Sequence, residues 1–245
     1  MDKKRNSVEL KIMGRYAMFA DPITRVGGEK FSYQIPTYQA IKGILESVYW
    51  KPTFIWYIDA VRIMKKIQTE SKGIKPIKMS GGNDLSFYTY LKDVEYQVLV
   101  HFEWNDQRQN LTGDRDENKH HNIAKRSIER GGRRDIFLGT RECQGYVEPC
   151  FFGEGISFYD NYGELDLGVM FHGYDYPDET GNDELGVRFW RAKMENGIIK
   201  FPMPKDCEPS LRRFIRKMTA KEFENNRNFL FIDEDSNVAD LLLEE

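Results

Sequence analysis

The sequence has few cysteines, no long apolar run and no segment typical of a secretion signal. Cys143, Cys150 and Cys207 are too few and too widely spaced for a disulfide framework or a CxxC zinc site. The longest apolar runs, such as FIWYI at 54–58, are far shorter than the roughly 20 residues that cross a bilayer. The first eleven residues contain no apolar core of a signal peptide. We therefore expect reduced thiols and a cytoplasmic protein that does not bind a membrane.

The motifs of several enzyme classes are also missing. There is no GxxxxGK[ST] loop, which disfavours a nucleoside triphosphatase, and no GxSxG nucleophile motif. No HExxH pattern or carboxylate cluster indicates a metal site, so we expect neither a metal nor a cofactor. A Ser/His/Asp arrangement stays open, because sequence spacing alone does not exclude it.

Positive charge is concentrated in one segment of an acidic chain. The 245 residues are 40% hydrophobic and 13% aromatic, which indicates a globular protein of one large domain or two modest ones. The net charge is −3, yet residues 115–135 hold seven lysines and arginines against four acids, a net of +3. The same segment contains two of the four histidines. This distribution favours a surface that faces phosphate groups.

Hydrophobic periodicity predicts the elements of the first half of the chain. Alternation predicts strands, and apolar residues at helical spacing predict helices, in the order strand 8–19, helix from about Pro36 to 50, strands 53–65 and 90–104, helix 115–130 and strand 135–143. Asp114 and Glu117 are spaced as a capping box for the second helix, and Gly131–Gly132 would end it. The order β-α-β-β-α-β predicts an α+β fold with a ferredoxin-like (RRM-like) domain.

The second half of the chain has a different texture. Turn residues crowd 153–186, and Asn196–Gly197 is a strong signal for a two-residue hairpin. We interpret residues 1–145 as the ferredoxin-like domain and 146–245 as a small antiparallel β subdomain with an acidic C-terminal tail. Residues 205–245 are expected to be a peripheral helix or a loose tail.

The connection between the second and third predicted strands, 66–89, is rich in lysine. It holds Lys66, Lys72, Lys75 and Lys78 with a single acid. A solvated hairpin explains this pattern, since charge runs are usually solvated. The alternative, which this pattern favours less, is a basic arm that lies along a phosphate backbone.

A helical wheel of the basic segment separates its two histidines. His120 lies on the apolar side of the predicted helix, beside a face that carries Lys119, Arg126 and Arg130, whereas His121 points about 100° away. Lys119 and His120 sit near the positive N-terminal end of the helix, which suits a phosphate. A satisfied, half-buried histidine is the alternative interpretation of His120.

Three long stretches resemble one known family: FADPITRVGGEKFSYQIPTYQAIKGILESVYWKPTF (19–54), GGRRDIFLGTRECQGYVEPC (131–150) and YPDETG (176–181). They are similar to the CRISPR-associated Cas protein family five in its subtype I-C (Dvulg) form, within the repeat-associated mysterious protein (RAMP) superfamily. The resemblance spans about residues 8–204. It implies a ferredoxin-like domain with a β extension that cleaves CRISPR precursor RNA at the repeat hairpin. It also implies that the protein stays on the 5′ end of the mature guide RNA, with the other subunits of the type I-C interference complex as partners.

The resemblance also implies a catalytic set and an RNA-binding set. The tyrosine at the end of the first helix matches Tyr49, and the lysine–histidine pair at the start of the second matches Lys119 and His120, with His121 as an added neighbour. The glycines and basic residues expected to bind RNA are Lys42, Lys51, Lys125, Arg126, Arg130, Gly131, Gly132, Arg133, Arg134 and Arg141.

These residue types suit cleavage by the 2′-hydroxyl of the RNA itself. Histidine transfers protons near neutral pH, lysine stabilises charge on the phosphorane, and tyrosine positions or deprotonates the hydroxyl. No metal is required for such a reaction, and its product is a 2′,3′-cyclic phosphate. Two alternatives remain: a non-catalytic subunit that holds the guide RNA, and a metal-dependent DNA nuclease.

Overall fold

The computed structural model describes residues 6–20 and 29–221. The helices are α1 (Tyr38–Val48), α2 (Glu117–Glu129) and α3 (Pro177–Thr180), with 3-10 turns at Gln109–Asp114, Pro204–Asp206 and Pro209–Leu211. The strands are β1 (Ser7–Ala17), β2 (Lys30–Phe31), β3 (Phe54–Ile63), β4 (Thr69–Ile74), β5 (Ser86–Trp104), β6 (Ile136–Phe137), β7 (Gln144–Pro149), β8 (Glu164–Asp175), β9 (Glu184–Glu195), β10 (Ile198–Lys200) and β11 (Arg212–Lys217). The fold is thus α+β and mainly antiparallel sheet.

Four strands form the centre of the sheet, in the order β7-β1-β5-β3, and every neighbouring pair among them is antiparallel. Helix α1 lies between β1 and β3 in the chain, and α2 lies between β5 and β7. The longest strand, β5, is in the middle because it pairs with β1 on one side and β3 on the other. The ends of α1 and α2 therefore meet over one face of this sheet.

The strand predicted at 135–143 is wrong in position. Only Ile136–Phe137 is extended, and Gln144–Pro149 is the strand that pairs with β1. The chain reverses between them, where Leu138 N–H donates to the Cys143 carbonyl at 2.7 Å. Gly139 has a φ of 95° and approaches Met18 so closely that a Cβ there would lie 1.9 Å from the Met18 carbonyl oxygen. This close approach forces a turn that the alternating pattern did not indicate.

Strands β8 to β11 extend the same sheet beyond β3. β9 pairs with β8 on one side and with β11 on the other, and the short β10 joins this group to β3. The hairpin predicted at Asn196–Gly197 is confirmed, since both residues have positive φ between β9 and β10. The predicted boundary at 145 falls inside β7, and the division into two domains stays a prediction.

The expectation of a helix or loose tail after residue 205 is wrong for the described residues, because 212–217 form β11. Residues 222–245, which include most of the predicted acidic tail, lie outside the described residues, as do residues 21–28. All three cysteines are free thiols. No helix in the described ranges, 6–20 and 29–221, is both long and apolar enough to cross a bilayer.

Both long helices begin at a capping residue and bury one face. Thr37 accepts a hydrogen bond from Ala40 N–H at the start of α1, whose buried face is Tyr38, Ile41, Lys42, Ile44, Leu45 and Val48. Helix α2 begins at Asp116, which accepts from Lys119 N–H, so the predicted cap at Asp114 is wrong. Asp114 ends the preceding 3-10 turn, and its carboxylate binds other side chains.

Candidate active site

Tyr49 and His120 meet where the end of α1 faces the start of α2. Tyr49 follows α1 directly in an extended conformation, and its N–H still donates to the Leu45 carbonyl. Trp56 on β3 fixes the same residue by donating to the Tyr49 carbonyl at 2.8 Å. The Tyr49 hydroxyl lies 2.7 Å from His120 Nδ1. The inward orientation of His120 that the helical wheel predicts is therefore confirmed.

The partners of His120 define its tautomer when the ring is neutral. Nε2 lies 2.7 Å from the backbone carbonyl of Asp114, which can only accept, so Nε2 carries the hydrogen. Nδ1 is then an acceptor, and the Tyr49 hydroxyl donates to it. This arrangement aligns the phenol so that His120 can take up its proton.

The carboxylate of Asp114 joins Lys119 and His120. Lys119 Nζ donates to Asp114 Oδ1 at 2.5 Å, and the Thr53 hydroxyl donates to Oδ2 at 2.9 Å. His120 Nε2 lies 3.5 Å from Oδ2. The hydrogen bond from Lys119 lowers the pKa of Asp114, and Thr53 and His120 act in the same direction. Asp114 is thus a carboxylate at neutral pH, placed to hold both basic residues.

Aromatic rings close the site around His120. Phe54 on β3 and Phe102 and Trp104 on β5 contact the imidazole edge to face, at centroid distances of 5.3, 6.5 and 5.7 Å. His120 and Tyr49 are 0% and 1% exposed. Burial raises the pKa of Tyr49, the Asp114 carboxylate adds to this, and Arg133 opposes it. The half-buried, satisfied histidine considered above is in fact fully buried.

Arg133 covers the other side of the tyrosine. Its guanidinium lies 5.7 Å from the Tyr49 ring centroid. The neighbouring Arg134 N–H donates to the Ser47 carbonyl in the last turn of α1. Gly131 and Gly132, both with positive φ, turn the chain from α2 toward α1. The predicted GGRR loop is therefore brought to the tyrosine.

Of the other basic residues predicted to bind RNA, all but Lys42 are exposed. Those that are exposed, with no assigned contact to Tyr49 or His120, are Lys51, Lys125, Arg126, Arg130 and Arg141. Lys125 lines a separate cavity of about 650 Å³ with His121, whose Nε2 lies 3.0 Å from the Ser7 carbonyl. Lys42 is buried and its ammonium forms an ion pair with Glu179. The charge of Lys42 is neutralised by Glu179 inside the fold. We therefore do not include Lys42 among the residues that we propose to contact RNA.

Two residues of this site were not predicted from sequence. The sequence indicates Asp114 only as a helix cap and predicts no role for Thr53. Their signal is weak in sequence, since a carboxylate six residues before a histidine is common on loops. Among the residues that the structure describes, no group of three or more His, Cys, Asp or Glu side chains is arranged to hold a metal ion.

Comparison with known proteins gives a consistent picture. A family model described as CRISPR-associated protein (Cas_Cas5), Cas5d type, matches residues 7–202. The chain is 28% identical over 236 residues to the CRISPR pre-crRNA endoribonuclease Cas5d of Mannheimia succiniciproducens, covering 80% of this chain and 95% of that protein. It is 26% identical over 222 residues to the protein of the same name from Thermus thermophilus, covering 81% and 92%. A crystal structure of a CRISPR-associated protein is 35% identical and superposes with a TM-score of 0.72, covering 84% of this chain and 96% of that one.

Proposed function

The chain belongs to the Cas5d family of CRISPR-associated proteins, and we propose that it is an endoribonuclease that cleaves CRISPR precursor RNA at the repeat hairpin. The observation that carries the proposal is the cluster of Tyr49, His120, Asp114 and Lys119, joined by hydrogen bonds of 2.5 to 2.7 Å. Both curated relatives are named pre-crRNA endoribonucleases, which supports the same reaction class. Further support comes from the residue types, which supply a proton acceptor and a cation without a bound group.

We also propose that the central sheet is a ferredoxin-like domain. In chain order its strands β1, β3, β5 and β7 take the positions second, fourth, third and first across the sheet, with one helix after the first strand and one after the third. This β-α-β-β-α-β order supports the assignment. The domain serves the site by placing the end of α1 against the start of α2.

In the proposed reaction the 2′-hydroxyl of the RNA attacks the adjacent phosphorus. Tyr49 accepts the hydrogen bond of that hydroxyl and takes its proton while it passes its own to His120 Nδ1. The bond to the 5′-oxygen breaks, and that oxygen leaves with a proton from the site or from water. The products are a 2′,3′-cyclic phosphate and a 5′-hydroxyl. Lys119 stabilises the negative charge that develops on the phosphorane.

RNA must open the site before this chemistry begins, because Tyr49 and His120 are buried. Two cations lie near the pair: Lys119, held by the Asp114 carboxylate, and Arg133, above the Tyr49 ring. A phosphate offers several charged acceptor oxygens, so it competes with the Asp114 carboxylate for Lys119 and with the Tyr49 ring for Arg133. We propose that the scissile phosphate draws Lys119 and Arg133 outward and exposes the tyrosine hydroxyl.

After cleavage, we propose that the protein stays on the repeat-derived 5′ end of the guide RNA and joins the type I-C interference complex. The family resemblance supports this role. The basic residues of α2 and the following loop, Arg126, Arg130, Arg133 and Arg134, would hold the RNA backbone, because all four are exposed.

The second candidate is a non-catalytic subunit that only holds the guide RNA. The burial of His120, at 0% exposure, favours this candidate, because a histidine satisfied on both nitrogens also serves as a structural residue. The two candidates differ in whether the bound RNA is cut.

Incubation with a labelled repeat hairpin, with and without EDTA, separates the candidates. We expect cleavage in both conditions, with a 2′,3′-cyclic phosphate on the upstream fragment. A hairpin with a 2′-deoxy sugar just 5′ of the scissile bond should bind and resist cleavage. Binding without cleavage would support the non-catalytic subunit. Loss of activity in EDTA, or normal cutting of the deoxy substrate, would overturn the mechanism.

A further inference from the structure

The last strand, β11, presents positive charge and apolar surface to solvent together. Four of its six residues are basic, namely Arg212, Arg213, Arg216 and Lys217, and none is acidic. Residues 213–217 are all exposed, including Phe214 at 60% and Ile215 at 45%. Single exposed apolar side chains are common, but Phe214 and Ile215 are neighbours and lie among four cations. The composition of β11 therefore points to a ligand.

The position of β11 leaves one of its edges open. It lies at the end of the sheet order and, within the described residues, pairs only with β9. Its register shifts between Phe214 and Arg216, which interrupts the ladder. Charges and irregular pairing on an edge strand oppose the addition of another protein strand. The charges and the irregular pairing do not explain why Phe214 is exposed. Protection of the edge therefore accounts for the basic residues of β11 but not for its aromatic residue.

The positive charge of β11 is largely unneutralised by the described part of the chain. Asp175 pairs with Arg212 and also with the buried Arg188. Arg213 donates to the backbone carbonyls of Ser210 and Arg212, which leaves its full charge in place. Arg216 and Lys217 form no ion pair with another described residue. Arg213, Arg216 and Lys217 are thus three exposed cations of one strand that have no acidic partner among residues 6–20 and 29–221.

Hydrogen bonds connect the end of this segment to the candidate active site. Lys221 N–H donates to the Asp178 carboxylate, and the Asn105 side chain donates to the Asp178 carbonyl, both at 2.8 Å. Asn105 N–H donates to the Thr53 carbonyl, and Thr53 donates to Asp114. The residues that follow β11 therefore lie beside the elements that carry the site.

We propose that β11 binds a single-stranded segment of the precursor RNA that flanks the repeat hairpin. Arg213, Arg216 and Lys217 would contact successive phosphates, and Phe214 would stack on an unpaired base. A six-residue strand is about 20 Å long, enough for several nucleotides. That the bound RNA is CRISPR precursor RNA rests on the proposed function. Binding of single-stranded RNA to β11 does not require that the protein cleave RNA.

The exposed phenylalanine favours a single strand over a duplex. Base faces in an A-form helix are hidden by stacking, and only phosphates and 2′-hydroxyls would meet a protein surface there. Cations alone would suffice for a duplex. An aromatic side chain among cations is the combination found where unpaired bases are bound.

The test measures equilibrium binding with the full chain carrying His120→Ala, so that the RNA stays intact. The RNAs are the hairpin alone and the hairpin with a 5′ or a 3′ single-stranded flank. Adding Arg213→Ala, Arg216→Ala and Lys217→Ala should weaken binding of one flanked RNA by more than about tenfold and lower its salt slope by about 2. Binding of the hairpin alone should weaken by much less. Phe214→Leu should weaken the flanked RNA by about fivefold.

Matched controls separate charge from fold. Lys11→Ala, Lys65→Ala and Lys193→Ala together remove the same charge from lysines that are each paired with a glutamate, of which Lys11 is partly buried and the other two are exposed. This variant should leave the salt slope unchanged. Arg213→Lys with Arg216→Lys should retain most of the slope, because the charges remain. Unaltered melting temperatures would show that the variants fold.

Two results would overturn the inference: equal weakening of the hairpin with and without a flank, or flanked binding unchanged by the triple variant. If the triple variant selectively loses flanked RNA while the protein with His120 intact cuts no RNA, the proposed catalytic function fails and the inference about β11 stands.

Discussion

His120 and His172 are each fully buried beside a tyrosine, as His101 is beside Tyr57, and the surroundings of His120 and His172 differ at Nδ1. His120 lies against Tyr49, and His172 stacks on Tyr38 with ring centroids 4.2 Å apart. In both, Nε2 faces a backbone carbonyl, of Asp114 and of Pro202 respectively. At Nδ1, however, His120 meets a phenol hydroxyl at 2.7 Å, whereas His172 meets the guanidinium of Arg188 at 3.5 Å.

The difference at Nδ1 separates a histidine suited to proton transfer from a structural one. A phenol can give its proton to the imidazole, while a guanidinium remains charged at any pH that the fold survives. Burial lowers the pKa of His172 to about 3, and the positive charge of Arg188 adds to the effect. His172 is therefore neutral across the physiological range. Near His120, by contrast, the Asp114 carboxylate supplies negative charge.

Replacing His120 should have the largest effect on the cleavage rate, and replacing His172 should have none. His120→Ala should lower the cleavage rate by a factor on the order of 10²–10⁴, the usual contribution of a general acid or base, while hairpin binding stays nearly intact. His172→Phe, which keeps an aromatic ring at the second site, should leave the rate of the folded protein unchanged, and His121→Ala should do little. Single-turnover rates at saturating protein would measure this. Equal losses for His120→Ala and His172→Phe would refute the distinction.

Asp114→Asn should have the next largest effect, because it removes the charge that holds Lys119 while nearly keeping the shape of the side chain. A hydrogen bond to a charged group contributes about 1.5–3 kcal/mol, so we expect cleavage to slow by roughly 10- to 100-fold. RNA binding should not weaken, since a carboxylate that repels phosphate is lost. Weaker binding with an unchanged rate constant would contradict the assigned position of Asp114.

His172 should make the free energy of unfolding depend on pH. Its folded pKa of about 3 lies below the unfolded value of about 6.5, so the unfolded chain takes up a proton first as the pH falls. The contribution of His172 is fully present above pH about 6.5 and is lost progressively toward pH about 3. Between pH 7.5 and 5 the free energy of unfolding should fall by about 2 kcal/mol from this residue alone.

Denaturant unfolding of the parent protein and of His172→Phe, at both pH values, measures that loss. The variant should lack this part of the pH dependence. An identical pH dependence in the two proteins would mean that His172 is protonated in the fold and that the contrast at Nδ1 has no consequence.

The smallest expected effect is on RNA binding, and it comes from the arginines near His120, which differ from the arginine near His172. Arg188 is buried and paired with Asp175, whereas Arg133 and Arg134 are exposed. Replacing Arg133 and Arg134 with alanine should weaken hairpin binding, more at low salt than at high salt, and lower the salt slope by about 2 because fewer counterions are released. An unchanged slope in a titration over salt concentration would show that the loop after α2 does not touch the RNA backbone.

Local patterns in the sequence determined most of the strands and both long helices of the central sheet region. Alternation located β1, β3 and the sheet part of β5 to within a few residues, because a half-buried strand repeats every two positions. The helical period predicted that His120 points inward and His121 outward. Pro52 predicted the end of α1 just before it, which places Tyr49 at the end of the helix. The family resemblance then supplied the predicted catalytic set.

Tertiary structure decided what depends on partners far apart in the chain. Lys42 resembles a solvated lysine in sequence and is buried only because Glu179, 137 residues later, pairs with it. The strand beside β1 begins at Gln144 because Gly139 packs against Met18, and β11 exists because β9 offers it an edge. Asp114 joins Lys119 to His120 only once the 3-10 turn folds against Thr53. Periodicity encodes which face of an element is buried, whereas the identity of the neighbour across that face depends on how the whole chain packs.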